Sequence, residues 1–331
     1  MGVFVFLPLV LPLTAWPVAR LATHRLHPRT ATRLLTWVAA VMAACSTVCL
    51  CLLMVVGTAQ LPGNPLPDGW SDPEVRAVVP RDEIVGKAAI PALIAVVSAA
   101  AHTLWRHFSL RRRAHASLAR LRGTQVAVLP DPEPYAYALP GGGRGRIVVS
   151  TALLARLTSP ERRALFAHER THLTARHHRH LLTVRLAARV NPFLRPLSSA
   201  VAYTAERWAD EEAATQVGDR RAVARAIGKA ALPPDGANGS NESNGQRGSN
   251  GQRGPGEPVF AAFAGLAAPG PLPRRVAALL APPPAAPGRL RSFTAVGLAT
   301  WTAGAGTAAS AMSSASSALT LATTLQAATS L

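Results

Sequence analysis

His168-Glu169-Arg170-Thr171-His172 is the stretch of this chain whose residue types and spacing can do chemistry. Two histidines four residues apart on a helix stand one above the other on a single face, so both imidazoles can reach one metal ion. Glu169 projects from the same turn, placed to take a proton from a water that such an ion activates. The same five residues also arise by chance as a polar surface turn, so the pattern needs support from its surroundings. A catalytic zinc takes three protein ligands and keeps a fourth position open. Two residues compete for the third place. His178 stands ten residues after His168, the spacing of the HExxHxxGxxH pattern. That pattern turns the chain back at a glycine, where this sequence has Ala175. Along an unbroken helix His178 would lie about 15 Å from His168 down the axis. His177 and His180 fail on the same geometry, and with Arg176 and Arg179 they read as a basic helical face. Glu206 is better placed, on a separate helix able to cross the first, with Asp210 one turn later to orient a ligating histidine. The bland alternative is a solvated acidic face, since Glu211 and Glu212 follow. The reaction also needs an electrophile for the oxyanion. Tyr203, one turn before Glu206, is the candidate, with Tyr135 and Tyr137 as rivals.

These side chains need rigid elements behind them. The motif helix is expected from Pro160 to about Val190, with Ser159 as its N-cap and Glu161 at its positive end. Leu165, Phe166, His168, His172 and Leu173 recur along it at helical spacing. Asn191-Pro192 breaks it. A second helix is expected from near Leu197 to Val217, stopped by Gly218, and Asp219 caps a third from Arg220 to about Leu232. Upstream, Gln125–Leu129, Pro134–Gly141 and Arg146–Ser150 predict a small antiparallel sheet. Its edge strand either pairs with an extended substrate or is a structural hairpin. Residues 233–258, with SNGQRG written twice, read as a disordered low-complexity linker. Residues 259–291 read as a segment that packs back on the domain, followed by a proline-rich spacer.

Composition points to a membrane. Of the 331 residues, 49% are hydrophobic and only 16% charged, which is unusual for a soluble enzyme. Residues 1–21, 34–61, 84–105 and 292–312 are apolar runs, expected to be four transmembrane helices. The first resembles a signal peptide in length. It lacks a basic n-region and a clean cleavage site, so it reads as a retained anchor. Arginines follow the first and third runs and precede the fourth, whereas the loop 62–83 is acidic. The positive-inside rule then puts the N-terminus, that loop and the tail 313–331 outside, and residues 106–232 in the cytoplasm of a plasma-membrane protein. The net charge of +18 invites a nucleic-acid reading. Juxtamembrane arginines, which attract anionic lipid, account for much of it, and no nucleic-acid motif accompanies them. Direct nucleic-acid binding is therefore not expected. Cys45, Cys49 and Cys51 all fall in the second run and make neither a disulfide framework nor a metal site.

The HERTH motif, the Asn191-Pro192 pair and the element Glu206-Arg207-Trp208-Ala209-Asp210-Glu211, which opens fifteen residues past Asn191, carry a resemblance. They resemble the BlaR/MecR antirepressor-type membrane zinc metallopeptidases and are more distantly similar to HtpX-type and CAAX prenyl membrane proteases. With some twenty residues after the fourth run and no SxxK motif among them, the expected form is the short one, without the penicillin-binding sensor. The resemblance implies Zn2+ bound by His168, His172 and Glu206, Glu169 as general base and Asp210 as the carboxylate behind a ligating histidine. It further implies a cytoplasmic protein substrate, a transcriptional repressor or the chain itself. The expected architecture is mainly α, a polytopic membrane protein with a cytoplasmic gluzincin-like α+β zinc peptidase domain. The rival from another class is a membrane signalling scaffold with a structural zinc site. Intact Glu169 argues against it, because a structural site has no use for a base.

Overall fold

Prolines decide how the chain begins. The computed structural model describes residues 6–59, 61, 63, 82–118, 125–141, 145–231, 272–284 and 295–329. Within the first apolar run, Pro8, Pro12 and Pro17 each remove an amide donor and crowd the preceding turn, which no straight helix tolerates. The run accordingly folds as α1 (Leu7–Val10), a 3-10 turn (Leu11–Thr14) and α2 (Ala15–Arg25). Next come α3 (Pro28–Ala59) and α4 (Asp82–Ser117). Among the described residues these are the two helices long and apolar enough to cross a bilayer. Residues 295–312 of the fourth apolar run lie in a longer helix, Ala295–Thr329, labelled α11 below. Most of the loop 62–83, the whole linker 233–258 and the stretches 259–271 and 285–291 lie outside the described residues.

Between α4 and α11 come three short strands, β1 (Val126–Leu129), β2 (Ala136–Leu139) and β3 (Arg146–Ser150). Among the described residues six helices follow: α5 (Thr151–Arg156), α6 (Ser159–Thr174), α7 (His177–Val190), α8 (Arg195–Val217), α9 (Arg220–Ala231) and α10 (Leu272–Leu280). The sheet is mixed rather than antiparallel. Its order is β1-β3-β2, with β1 parallel and β2 antiparallel to the central β3. Ile147, Val148 and Val149 are buried, as β-branched residues in a strand flanked on both sides should be.

The chain divides into two units. One takes in residues 1–105, 180–201 and 287–331. Its main core gathers Ala15, Ala19, Leu35, Met42, Val184, Leu194, Leu197 and Val201. Asn191 shows why an Asn-Pro pair follows the motif helix. Its side-chain oxygen accepts the Phe193 amide at 3.0 Å, which caps a 3-10 turn over Pro192–Leu194. Its Nδ2 donates to Ser46 Oγ at 3.1 Å and to the Leu9 carbonyl at 3.3 Å, and Ser46 in turn donates to the Pro8 carbonyl at 2.7 Å. The Pro8 carbonyl, for which Pro12 has no amide to offer, is satisfied in this way. Elsewhere in this unit α3 and α4 meet backbone to backbone at Gly57 and Gly86, where a Cβ on either would overlap the other residue's main chain.

The other unit takes in residues 106–179 and 202–286. Val149, Leu153, Ala164, Leu165, Ala213, Val223 and Leu279 form its core, so the sheet, α5, α6, α8, α9 and α10 share one apolar interior. Helix α6 begins one residue earlier than expected. Thr158 is the N-cap, and Glu161 accepts its amide at 2.9 Å in a capping box. Asp219 caps α9 through Oδ1, which accepts from the Arg221 and Ala222 amides at 2.9 and 3.0 Å. Gly218, with φ of 74°, ends α8 in the left-handed conformation that a side chain would resist. Arg220 donates to the Ala278 and Leu279 carbonyls, tying the end of α10 to the start of α9.

Candidate active site

The expected single helix from Pro160 to Val190 is two helices. The chain breaks at Arg176, whose φ of 54° is left-handed, and α7 starts afresh at His177. The physical cost, about 1–2 kcal/mol for a residue with a Cβ, gives no sign of itself in the sequence. Before the break, α6 carries His168, Glu169 and His172 on consecutive turns facing α8. The two imidazoles meet through Nε2 at 3.1 Å. From α8, Glu206 brings Oε2 to 3.5 Å from His168 Nε2 and Oε1 to 3.5 Å from His172 Nε2. One ligand atom from each of the three lies within 4.8 Å of the others. A tetrahedral zinc with bonds of 2.0–2.1 Å has ligand-to-ligand edges of about 3.3–3.4 Å. The two imidazoles already stand close to such an edge, and the Glu206 carboxylate faces them with a different oxygen toward each ring.

Asp210, one turn along α8, is fully buried, and its Oδ1 sits 3.0 Å from His168 Nδ1. A carboxylate on the far nitrogen of a ligating imidazole fixes its tautomer and raises its basicity. Behind both acids stands Arg275, one of the arginines that precede the fourth apolar run, and it is only 6% exposed. Its Nε and Nη2 grip Asp210 at 2.8 and 2.7 Å, while Nη1 reaches Glu206 at 2.9 Å. Helix α10 places it there by burying Leu279 in the core one turn later. The signal available in the sequence was an arginine on an amphipathic segment separated from the apolar run by a proline-rich stretch.

Glu169 is 7% exposed and accepts a hydrogen bond from the Ala138 amide of β2. Because Tyr135 bonds across to Ser150, antiparallel alternation turns the Ala138 amide away from β3, off the edge of the sheet. Burial pushes the Glu169 carboxyl up to about 7, against the pull of His168. For His168, burial is outweighed by Asp210 and Glu206, and the imidazole rises to about 10. Burial drops His172 to about 4. Burial alone would raise Glu206 and Asp210, but the histidines and Arg275 hold both below the ordinary carboxylate range. Three carboxylates here share one guanidinium, and the donor set of two imidazoles and a carboxylate suits zinc.

The rivals for the third position part company. His178 is half-buried among Arg111, Arg179, His107 and Arg176, and burial with those charges lowers it to about 4. It is not in the three-residue cluster. His177, dismissed with the basic face, is fully buried with Nδ1 3.0 Å from Nδ1 of His172. Tyr203 is half-buried on α8, three residues before Glu206. Tyr135 donates its hydroxyl to Asp131 at 3.0 Å, and Tyr137 packs among Ala114, Leu139 and Val148.

Residues 100–187 match the model of peptidase family M48. The match spans α6 with its HERTH motif and supports, at the level of the family, the resemblance drawn from the motifs. It supports a zinc metallopeptidase function, since peptidases of this family are metal-dependent, typically on zinc. Glu206, Asp210 and Arg275 lie beyond the matched residues, so their place in the site rests on the geometry. No curated protein and no solved structure matches the chain.

Proposed function

We propose that this chain is a multi-pass membrane zinc endopeptidase that cleaves a protein at the cytoplasmic face, in regulatory proteolysis of a repressor or of itself. The observation that carries the reading is the meeting of His168, His172 and Glu206 with one ligand atom of each within 4.8 Å of the others, and with Glu169 on the intervening turn. In this reading those three side chains hold the ion and Asp210 orients His168. Bound zinc would supply Lewis acidity to the scissile carbonyl and to the attacking water. Glu169 takes the proton of that water and hands it to the leaving amine. A buried carboxyl raised toward neutrality is suited to both halves of that transfer. Tyr203, half-buried one turn before Glu206, would donate to the developing oxyanion. The outward edge of β2 would take an extended substrate as an added strand beside Glu169. The membrane reading has the support of α3 and α4, and the arginine distribution supports the N-out orientation.

The test is Glu169→Gln in full-length, detergent-purified protein, with zinc per chain and peptide cleavage measured together. Loss of a base predicts a fall in cleavage of about 10²–10⁴-fold at unchanged zinc content. Cleavage at the wild-type rate would remove Glu169 from the mechanism. A cellular phenotype that survives the substitution, with zinc retained, would favour the scaffold.

A further inference from the structure

We infer that His177 is the positioning residue for His172, fixing which nitrogen of that ring is turned toward His168 and Glu206. The inference rests on the zinc reading of the site above. The two rings meet Nδ1 to Nδ1 at 3.0 Å, their centroids 4.8 Å apart and their planes nearly perpendicular at 86°. A contact between two imidazole nitrogens at that distance holds one proton, with one ring donating and the other accepting. His172 presents Nε2 to the other two side chains. A neutral ring with its Nε2 lone pair committed to a metal carries its proton on Nδ1. His172 Nδ1 therefore donates, His177 Nδ1 accepts, and His177 keeps its own proton on Nε2. The two ligating histidines are thus backed by different groups, His168 by a carboxylate and His172 by an imidazole.

Two features show that the arrangement is built. The ring of His177 is fully buried and packs edge-on against Trp208, centroids 4.7 Å apart. Trp208 lies two residues after Glu206, so the helix that supplies the carboxylate also braces the positioning ring. The second feature is the left-handed Arg176. Five residues along an unbroken helix is about 140° round the axis, which would point residue 177 away from residue 172. The break turns it back. Strain in the main chain is thus located where it brings a side chain to the site, rather than at an arbitrary turn.

The experiment is metal affinity of the full chain in detergent, by chelator competition with zinc and by the visible spectrum of the cobalt-substituted protein. His177→Phe keeps the aromatic packing on Trp208 and removes the acceptor. His177→Asn keeps an acceptor oxygen near the place of Nδ1. The expected result is a 10- to 100-fold loss of affinity and an altered cobalt spectrum for His177→Phe, with most of the affinity restored in His177→Asn. Wild-type affinity in His177→Phe overturns the inference and, with a loss in His177→Asn, makes the role one of packing; a loss in His177→Asn as large as in His177→Phe overturns it too, since an acceptor oxygen would then restore nothing. Should His177→Phe fail to fold, histidine-nitrogen NMR of the zinc-loaded wild type decides. Protons on His172 Nδ1 and His177 Nε2 are expected, and a proton on His177 Nδ1 overturns the assignment. A wild-type chain that binds no zinc overturns the zinc reading itself, a result separate from any difference among the variants.

Discussion

Arg275→Met is the perturbation whose size the structure sets most directly. Methionine keeps an apolar stem on α10 and deletes the charge. The guanidinium stands 2.9 Å from Glu206 and 2.7 Å from Asp210. At an effective dielectric constant of about 20, each pairing has a gross attraction of about 5–6 kcal/mol. Withdrawing the guanidinium from water takes back much of that sum. Removing one partner of a buried pair, so that the other is left uncompensated, costs about 3–5 kcal/mol. For a unit of this size that corresponds to a fall of about 6–20 °C in the unfolding midpoint. The assay is thermal unfolding in detergent micelles after chelation. Excess zinc should narrow the loss, because a divalent cation neutralises the same carboxylates. The double variant Asp210→Asn, Arg275→Met should lose less than the sum of the two singles, since one surplus negative charge goes with the guanidinium. A loss under about 1 kcal/mol in chelated protein, or strict additivity in the double variant, would refute the view of Arg275 as the counter-ion of this site.

Other expectations can be checked alongside. Gly57→Val forces α3 and α4 apart at a backbone contact and should destabilise by about 1–3 kcal/mol or more, measured by denaturing-detergent titration. Arg176→Gly removes the left-handed penalty and should leave zinc content unchanged while gaining up to about 1 kcal/mol; a clear loss would mean that Arg176 contributes something other than its conformation. Glu161, despite its burial, is held down to about 2 by Lys229 and by the Thr158 hydrogen bonds. Its folded value lies below its ordinary 4.5, so its contribution is complete above that pH and is lost as pH falls through 2. Between those limits Glu161→Gln should flatten the dependence of stability on pH, and an unchanged slope would contradict the assignment.

Local signals carried much of the architecture. Asn191-Pro192, Gly218 and Asp219 end or begin helices where their main-chain chemistry demands, and the capping residue of α6 was displaced by one position only. The His168 and His172 pair was legible because helix periodicity converts spacing into a face, whereas Glu206, on another helix, was open to a solvated reading and was implied as a ligand by the family resemblance. Longer-range effects hid the rest. Whether β1 runs parallel to β3 is a matter of pairing order, on which four-residue strands are silent. A positive φ at arginine carries no compositional mark, so the break that separates α7 from α6 and delivers His177 looked like continuous helix. Arg275 carried the charge expected beside a bilayer, and nothing in its neighbours announced two buried carboxylates 65 and more residues upstream.

The order β1-β3-β2 has a consequence for how the protein is made. The central strand is the last of the three to leave the ribosome, so neither β1 nor β2 has a neighbour to pair with until residues 146–150 emerge. The sheet then zips from its middle outward, directly ahead of the helix that bears the histidines. A nascent chain paused before that point displays two orphan strands, and chaperone capture should concentrate there. Translation resuming past Ser150 supplies the missing partner for both edges at once.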